Sequence, residues 1–204
     1  MGTPPETLPQ PVRRDLAAAR PDRGRPLLVV DADEVLVVFA AHLARFLRGR
    51  GHTLRLERYS LEGAIRPLSG GPPVAFDAAL ALIDRFFEEE VAAQQALPGA
   101  AAALARLSAT AQVIVLTNVP GHARAGRVAN LAALGMDFPL VANEGSKGPA
   151  LAWLAAEADA PAAFVDDSPQ QIASAAAHAP DVLRLHFAGA PLMAEILPRA
   201  PTAD

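Results

Sequence analysis

Apolar and branched residues in this chain gather into short, largely unbroken runs instead of alternating with polar ones. Pro26-Leu-Leu-Val-Val-Asp31, Gln112-Val-Ile-Val-Leu-Thr117, Ala162-Ala-Phe-Val-Asp166 and Asp181-Val-Leu-Arg-Leu-His186 each have the length of a strand, and Phe138-Pro-Leu-Val-Ala142 is a weaker run of the same kind. Runs of this type mark strands covered on both faces, as inside a parallel sheet. Between them, helical segments are predicted over roughly 100–108, 122–134, 147–158 and 169–178, with Gly or Pro at several boundaries. The alternation predicts an α/β fold, a Rossmann-like parallel sheet core flanked by helices.

The alternation fails once. From about Ala40 to Leu97 there is no strong strand; 40–50 and 76–96 have helical periodicity, and the stretch between Gly51 and Pro73 contains Gly and Pro. Residues 40–97 are therefore read as a small helical cap inserted after the first strand, which divides the core into 26–39 and 98–204. Residues 1–25, rich in Pro and Arg, have no hydrophobic period beyond a helical turn around Leu16–Ala19, and are expected to form a flexible or loosely docked tail.

Composition narrows the chemistry. The 204 residues, 51% hydrophobic and 20% charged, suit one soluble globular domain with a modest insertion. A net charge of −4 supplies no positive field for a polyanion, so no nucleic acid polymer is expected as a partner. The absence of Cys excludes thiol nucleophiles, thiolate zinc sites and disulfides. No apolar run reaches the roughly 18 residues of a membrane span, so no membrane partner is expected. Met1 to Pro26 has no apolar stretch of signal-peptide length, and a cytoplasmic location is expected. Ala-rich helix faces permit an oligomer without indicating one.

In an open parallel sheet, ligands bind at the carboxyl ends of the strands, and those ends are strongly polar here. The first run ends in Asp31-Ala32-Asp33-Glu34, the second in Thr117-Asn118 and the fourth in Asp166-Asp167-Ser168, while Lys147, the only Lys in the chain, opens the helix before that fourth end. Converging carboxylates repel one another unless a cation joins them, and oxygen donors without Cys or paired His favour magnesium over zinc. Thr117, the amides after it and the Lys147 ammonium are suited to the oxygens of a phosphoryl group. An aspartate can attack phosphorus, and a second carboxyl two residues on can carry the proton.

These residues resemble the haloacid dehalogenase-like hydrolases, most of which are phosphatases. Val29-Val30-Asp31-Ala32-Asp33 is similar to the family's first motif, Leu116-Thr117-Asn118 to the second, Lys147 to the third and Val165-Asp166-Asp167-Ser168 to the fourth, over about Pro26 to Phe187. Leu97-Pro98-Gly99-Ala100 looks like the junction where the family's cap returns to the core. The resemblance implies that Asp31 is the nucleophile and Asp33 the general acid, whose backbone carbonyl also binds magnesium. It further implies that Asp31 and Asp167 give the metal its carboxylates, with Asp166 holding a metal-bound water or orienting the shell. Thr117 and the Asn118 amide would bind the phosphoryl oxygens, and Lys147 would neutralise charge on nucleophile and phosphate. Dehalogenases in the family need neither a second acid nor a metal, so Asp33 and Asp166-Asp167 favour phosphate chemistry. Glu34 departs from the family's usual Gly, and its side chain is expected to turn away from the metal.

The implied activity is magnesium-dependent hydrolysis of a small phosphomonoester, the substrate being a small phosphorylated metabolite, through an aspartyl-phosphate. The cap's length and place resemble the deoxyribonucleotidase-like branch, which gives nucleoside monophosphates a slight lead. Alternatives are transfer to an acceptor other than water, weakened by a cap without Lys, and a catalytically silent phosphate- or metal-binding regulator. Arg55, Arg58, Tyr59 and Arg66 lie in the middle of the insertion, where a cap would overhang the phosphate and read the leaving group. Taken singly, each signal has a plainer reading: Asp-x-Asp as a turn, Asp166-Asp167-Ser168 as a helix cap, and these four as surface residues of the cap. None of the five His shows metal-ligand spacing, and Phe86 and Phe87 are expected in packing.

Overall fold

The computed structural model describes residues 2–57, 59–187, 189, 196 and 198–204, so Arg58 lies outside the described residues. In chain order the elements are α1 (Gln10–Ala18), β1 (Leu27–Val30), α2 (Ala40–Arg48), β2 (His52–Leu54), β3 (Ile65–Pro67), α3 (Phe76–Glu90), α4 (Ala100–Leu107), β4 (Gln112–Thr117), α5 (Arg124–Ala133), β5 (Leu140–Ala142), α6 (Gly148–Ala158), β6 (Ala162–Asp166), α7 (Pro169–His178) and β7 (Leu183–His186). Short 3-10 turns follow α3 at Val91–Ala93 and precede α5 at Gly121–Ala123.

One five-stranded sheet has the order β5-β4-β1-β6-β7, and every pairing in it is parallel. β1 lies at the centre in the same register with both neighbours: Val30 sits opposite Val115 and opposite Val165. The chain builds outward from β1 through β4 to β5, then returns to the other side of β1 for β6 and β7. That reversal opens a crevice at the carboxyl ends of the central strands. The unbroken apolar run of β1 is explained by its two covered faces. Leu28 and Val30 pack with Val113, Val115, Leu131 and Met136 on one side, and Leu27 and Val29 pack with Phe164, Leu151 and Ile172 on the other.

The inserted segment leaves and rejoins the core side by side. Val38 N–H donates to the Gln95 carbonyl at 2.9 Å, Leu97 N–H donates to the Leu36 carbonyl at 2.8 Å, and Val37 bridges Ala96. Its α-helices α2 and α3 meet through aromatic packing, with Phe86 edge-on to Phe39 at 5.5 Å and to Phe46 at 5.4 Å. The small helical cap also holds a strand pair that the sequence reading did not anticipate. β2 and β3 form an antiparallel hairpin in which His52 faces Pro67, and strands of three residues are too short to show a period in sequence.

The loosely docked tail is corrected. Residues 10–18 form α1, whose Val12 and Leu16 are fully buried against the α6 side of the sheet. Asp15 on α1 is buried and accepts from Arg124 Nε at 2.6 Å and from Ala142 N–H at 3.1 Å, which fastens the helix to the end of β5.

Candidate active site

The common register of β1, β4 and β6 decides which side chains meet. Asp31, the residue after β1, donates its N–H to the Val165 carbonyl at 2.9 Å, which sets it level with Asp166 at the end of β6. Thr117 closes β4 on the other side. Lys147 stands immediately before α6, whose Gly148 packs so tightly on Ser174 of α7 that no Cβ would fit there. This close approach brings the Lys147 ammonium inside the sheet edge, where Nζ lies 2.7 Å from Asp31 Oδ1 and 2.7 Å from Asp166 Oδ2.

Asp166 spends its other oxygen on the Ser168 N–H, which donates to Oδ1 at 2.8 Å. Asp167 instead receives the hydroxyl of Tyr59, a residue of the insertion, at 3.0 Å on Oδ2. One carboxylate oxygen from each of Asp31, Asp166 and Asp167 falls within 4.8 Å of the others, and all three residues are buried. A single ammonium faces three carboxylates, and the imbalance shows in the proton affinities of Asp166 and Asp167. Burial first, then Asp31 and Asp166, push the Asp167 carboxyl up to about 8. Burial likewise pushes Asp166 up to about 6 against the pull of Lys147. Burial works against the Lys147 ammonium, but Asp166 and Asp31 outweigh it and hold its pKa above the usual range. Tyr59 is held above the ordinary phenol range by burial and by the Asp167 charge, so it serves as a donor.

Thr117 is fully buried and its Oγ1 has no hydrogen-bond partner among the described residues. An unpaired buried hydroxyl beside an ammonium calls for an oxygen-rich ligand. Asn118, next in line, is steadied through its side chain, which donates to the Gly145 carbonyl at 2.7 Å and accepts from Asn143 Nδ2 at 2.9 Å.

Asp33 sits apart from the carboxylate cluster. Its Oδ1 accepts from Arg127 at 2.6 Å and from Gln94 Nε2 at 3.3 Å. Burial raises its pKa, while the Arg127 guanidinium works in the opposite direction. Glu34 turns toward α2, where its Oε1 accepts from the N–H groups of Phe39 at 3.0 Å and Ala40 at 2.5 Å. It thereby caps a helix whose own N-cap residue makes no side-chain bond.

Asp31, Asp33, Thr117, Asn118, Lys147, Asp166 and Asp167, the residues selected from sequence, all line one cavity of about 420 Å³. Leu56, Tyr59 and Leu61 cover it from the inserted segment, Phe39 lines it just before that segment begins, and Gln170 and Gln171 flank it from α7. Arg55 and Arg66 instead line a separate cavity within the insertion. His122 faces Asp84 of α3 at 3.6 Å and stays outside the site. Arg127 and Gln94 are the contributors that spacing did not reveal, since each meets Asp33 across a long stretch of chain, whereas Tyr59, named from sequence within the insertion, reaches the site and is not a surface residue. The donors fit a divalent cation: oxygen only, from carboxylates that one ammonium does not balance, with Asp167 Oδ1 free of the bonds that occupy Asp166.

No known family model matches the sequence, and no curated protein matches it. Solved structures do match. The Bacillus subtilis protein YfnB, a candidate HAD-hydrolase solved bound to magnesium, aligns over 80% of this chain and 88% of its own at a TM-score of 0.52 and 16% identity. L-2-haloacid dehalogenase from Xanthobacter autotrophicus, solved with chloropropionic acid covalently bound, aligns over 87% and 91% at 0.51 and 14% identity. A candidate phosphatase from Clostridium difficile aligns over 80% and 85% at 0.51 and 14% identity. The chain has the fold of the haloacid dehalogenase-like hydrolases.

Proposed function

We propose that this protein is a magnesium-dependent phosphatase of the haloacid dehalogenase-like hydrolases, which cleaves a small phosphomonoester through an aspartyl-phosphate on Asp31. One observation carries the reading: of the buried Asp31, Asp166 and Asp167 only the first two are bonded to the Lys147 ammonium, beside a Thr117 hydroxyl with no partner among the described residues. Such a donor set suits one cation and one anionic ligand, and a metal with a phosphoryl group supplies both.

Asp31 and Asp167 would hold magnesium through carboxylate oxygens, together with the Asp33 backbone carbonyl, while Asp166 fixes Lys147 and orients the shell. When bound, the cation neutralises the phosphoryl charge as a Lewis acid. The protein's own groups do the rest. Thr117 Oγ1, the Asn118 amide and Lys147 Nζ bind the phosphoryl oxygens and set phosphorus in front of Asp31. Lys147 also bonds to Asp31 Oδ1 and steadies the nucleophile. Attack forms the Asp31–phosphorus bond as the ester bond breaks, and Asp33 gives the departing alcohol its proton. Water then attacks phosphorus, returns a proton to Asp33 and releases phosphate, so both aspartates end as they began.

Two features set this reading above dehalogenation. A halide leaves without a proton, so Asp33 would have no task there, and a carbon centre needs no cation to offset phosphoryl charge. A cavity of about 420 Å³ suits a small metabolite. Nucleoside monophosphates are the specific case favoured by the length and place of the cap, here residues 40–97, and the cytoplasm is the compartment where such esters would be met. The test is phosphate release from a panel of metabolite and generic phosphomonoesters, with and without magnesium. Release that requires magnesium supports the reading; a folded protein that binds magnesium yet is inert on the whole panel favours the silent regulator.

A further inference from the structure

A buried polar chain runs from Asp33 to the base of the insertion. Arg127 on α5 has a side chain with 0% exposure, and the carboxylate it meets is Asp33. Its neighbour Asn130 accepts from Arg127 NH1 at 3.4 Å and donates through Nδ2 to the carbonyls of Ala92 at 3.1 Å and Gln94 at 2.8 Å. Gln94 in turn donates through Nε2 to Asp33 Oδ1 at 3.3 Å and to the Val38 carbonyl at 3.2 Å. Val38 and Gln94 are the two places where the chain enters and leaves the insertion.

A fully buried guanidinium is costly and is a poor way merely to fill a core, since apolar residues of similar volume do that at least as well. The partition of the carboxylate oxygens explains its presence. Arg127 and Gln94 both act on Oδ1, so Oδ2 remains for chemistry, and Asp33 lines the cavity. We propose that Arg127 is a positioning residue: with Gln94 it anchors Asp33 by Oδ1, aims Oδ2 at the leaving-group oxygen, and through Asn130 and Gln94 ties that aim to the base of the cap. The proposal rests on the phosphatase reading. In ester cleavage the electron pair of the broken phosphorus–oxygen bond leaves on the alcohol oxygen, which takes the proton from Asp33 Oδ2. An acid that is off its aim therefore harms esters of alcohols that need this proton and spares those, such as p-nitrophenyl phosphate, that leave without it.

The experiment measures kcat and KM in magnesium on esters running from p-nitrophenyl through phenyl to alkyl phosphates, for wild type, Arg127→Met, Arg127→Lys and Gln94→Leu. Arg127→Met is expected to lower kcat/KM, which reports the step that releases the alcohol apart from the hydrolysis common to all esters, roughly 10- to 100-fold on alkyl phosphates and only about threefold on p-nitrophenyl phosphate. Arg127→Lys should recover part of the loss, and Gln94→Leu should show a smaller bias of the same sense. In an Asp33→Asn background, Arg127→Met should add no further leaving-group bias. Equal losses in kcat/KM on every ester, or a further bias from Arg127→Met in the Asp33→Asn background, would overturn the proposal. If Arg127→Met does not fold, Gln94→Leu and Arg127→Lys decide by the same criterion. A wild-type protein inert on every ester overturns the phosphatase reading and this proposal with it, whereas active wild type with unbiased losses overturns this proposal alone.

Discussion

Glu34 shows how one residue can serve two demands of a tight turn. Its φ of 62° lies in the left-handed region, where a side chain is strained, yet its carboxylate supplies the acceptor that the start of α2 otherwise lacks. Replacing it by Ala keeps the strained backbone and removes the cap, whereas Gly removes the cap but relieves the strain. Glu34→Ala is expected to lower unfolding free energy by about 1–2 kcal/mol, and Glu34→Gly by roughly 1 kcal/mol less, as read from urea midpoints. Equal losses would show that the backbone strain is not felt. The strand-end residues were legible in sequence because each follows an apolar run that fixes where it must stand. Arg127 was not: in a helical segment an Arg reads as a solvated face, and its pairing with Asp33 depends on how α5 packs, which no local spacing records.

At the scale of elements, the sheet was readable and the pieces that lean on it less so. Four apolar runs became strands with nearly the expected bounds: in β1, β4 and β6 burial on both faces demands unbroken apolar sequence, whereas the fourth run is the edge strand β7, whose Leu183 and Leu185 are exposed instead of covered. β2 and β3 escaped notice because a three-residue strand carries too little pattern. α1 was underread for a different reason: Leu8, Val12 and Leu16 do recur every four residues, but Pro and Arg around them obscured the stripe. Packing of that stripe now makes a definite demand. Leu16 is fully buried, so Leu16→Ala should cost about 2–5 kcal/mol of stability, measured by denaturant unfolding. A loss under about 0.5 kcal/mol, the scale of a surface change, would return α1 to the status of a loose tail.

For the molecule as a whole, the sheet edge concentrates negative charge that a cation should relieve, and this couples folding to pH. In the unfolded chain Asp166 and Asp167 titrate near 4, whereas in the fold they are raised to about 6 and about 8. The folded protein thus binds more protons between about pH 4 and 8, and this contribution to stability, present at the acid end, is lost as pH rises toward 8. Magnesium would replace those protons, so the rise in Tm it produces should grow from pH 5 to pH 8 and should collapse in Asp167→Asn. A rise that is the same at all pH values would contradict the assigned charge imbalance. The central claim is that Asp31 carries the phosphoryl group, and its most direct test is magnesium-dependent phosphate release by folded wild type and folded Asp31→Asn, with wild-type samples acid-quenched during turnover. A phosphoryl group on the peptide containing Asp31 is expected, with a loss of roughly 10⁴-fold or more in kcat for the variant. An Asp31→Asn protein that turns over at the wild-type rate, or a phosphoryl group found on another residue, would contradict it.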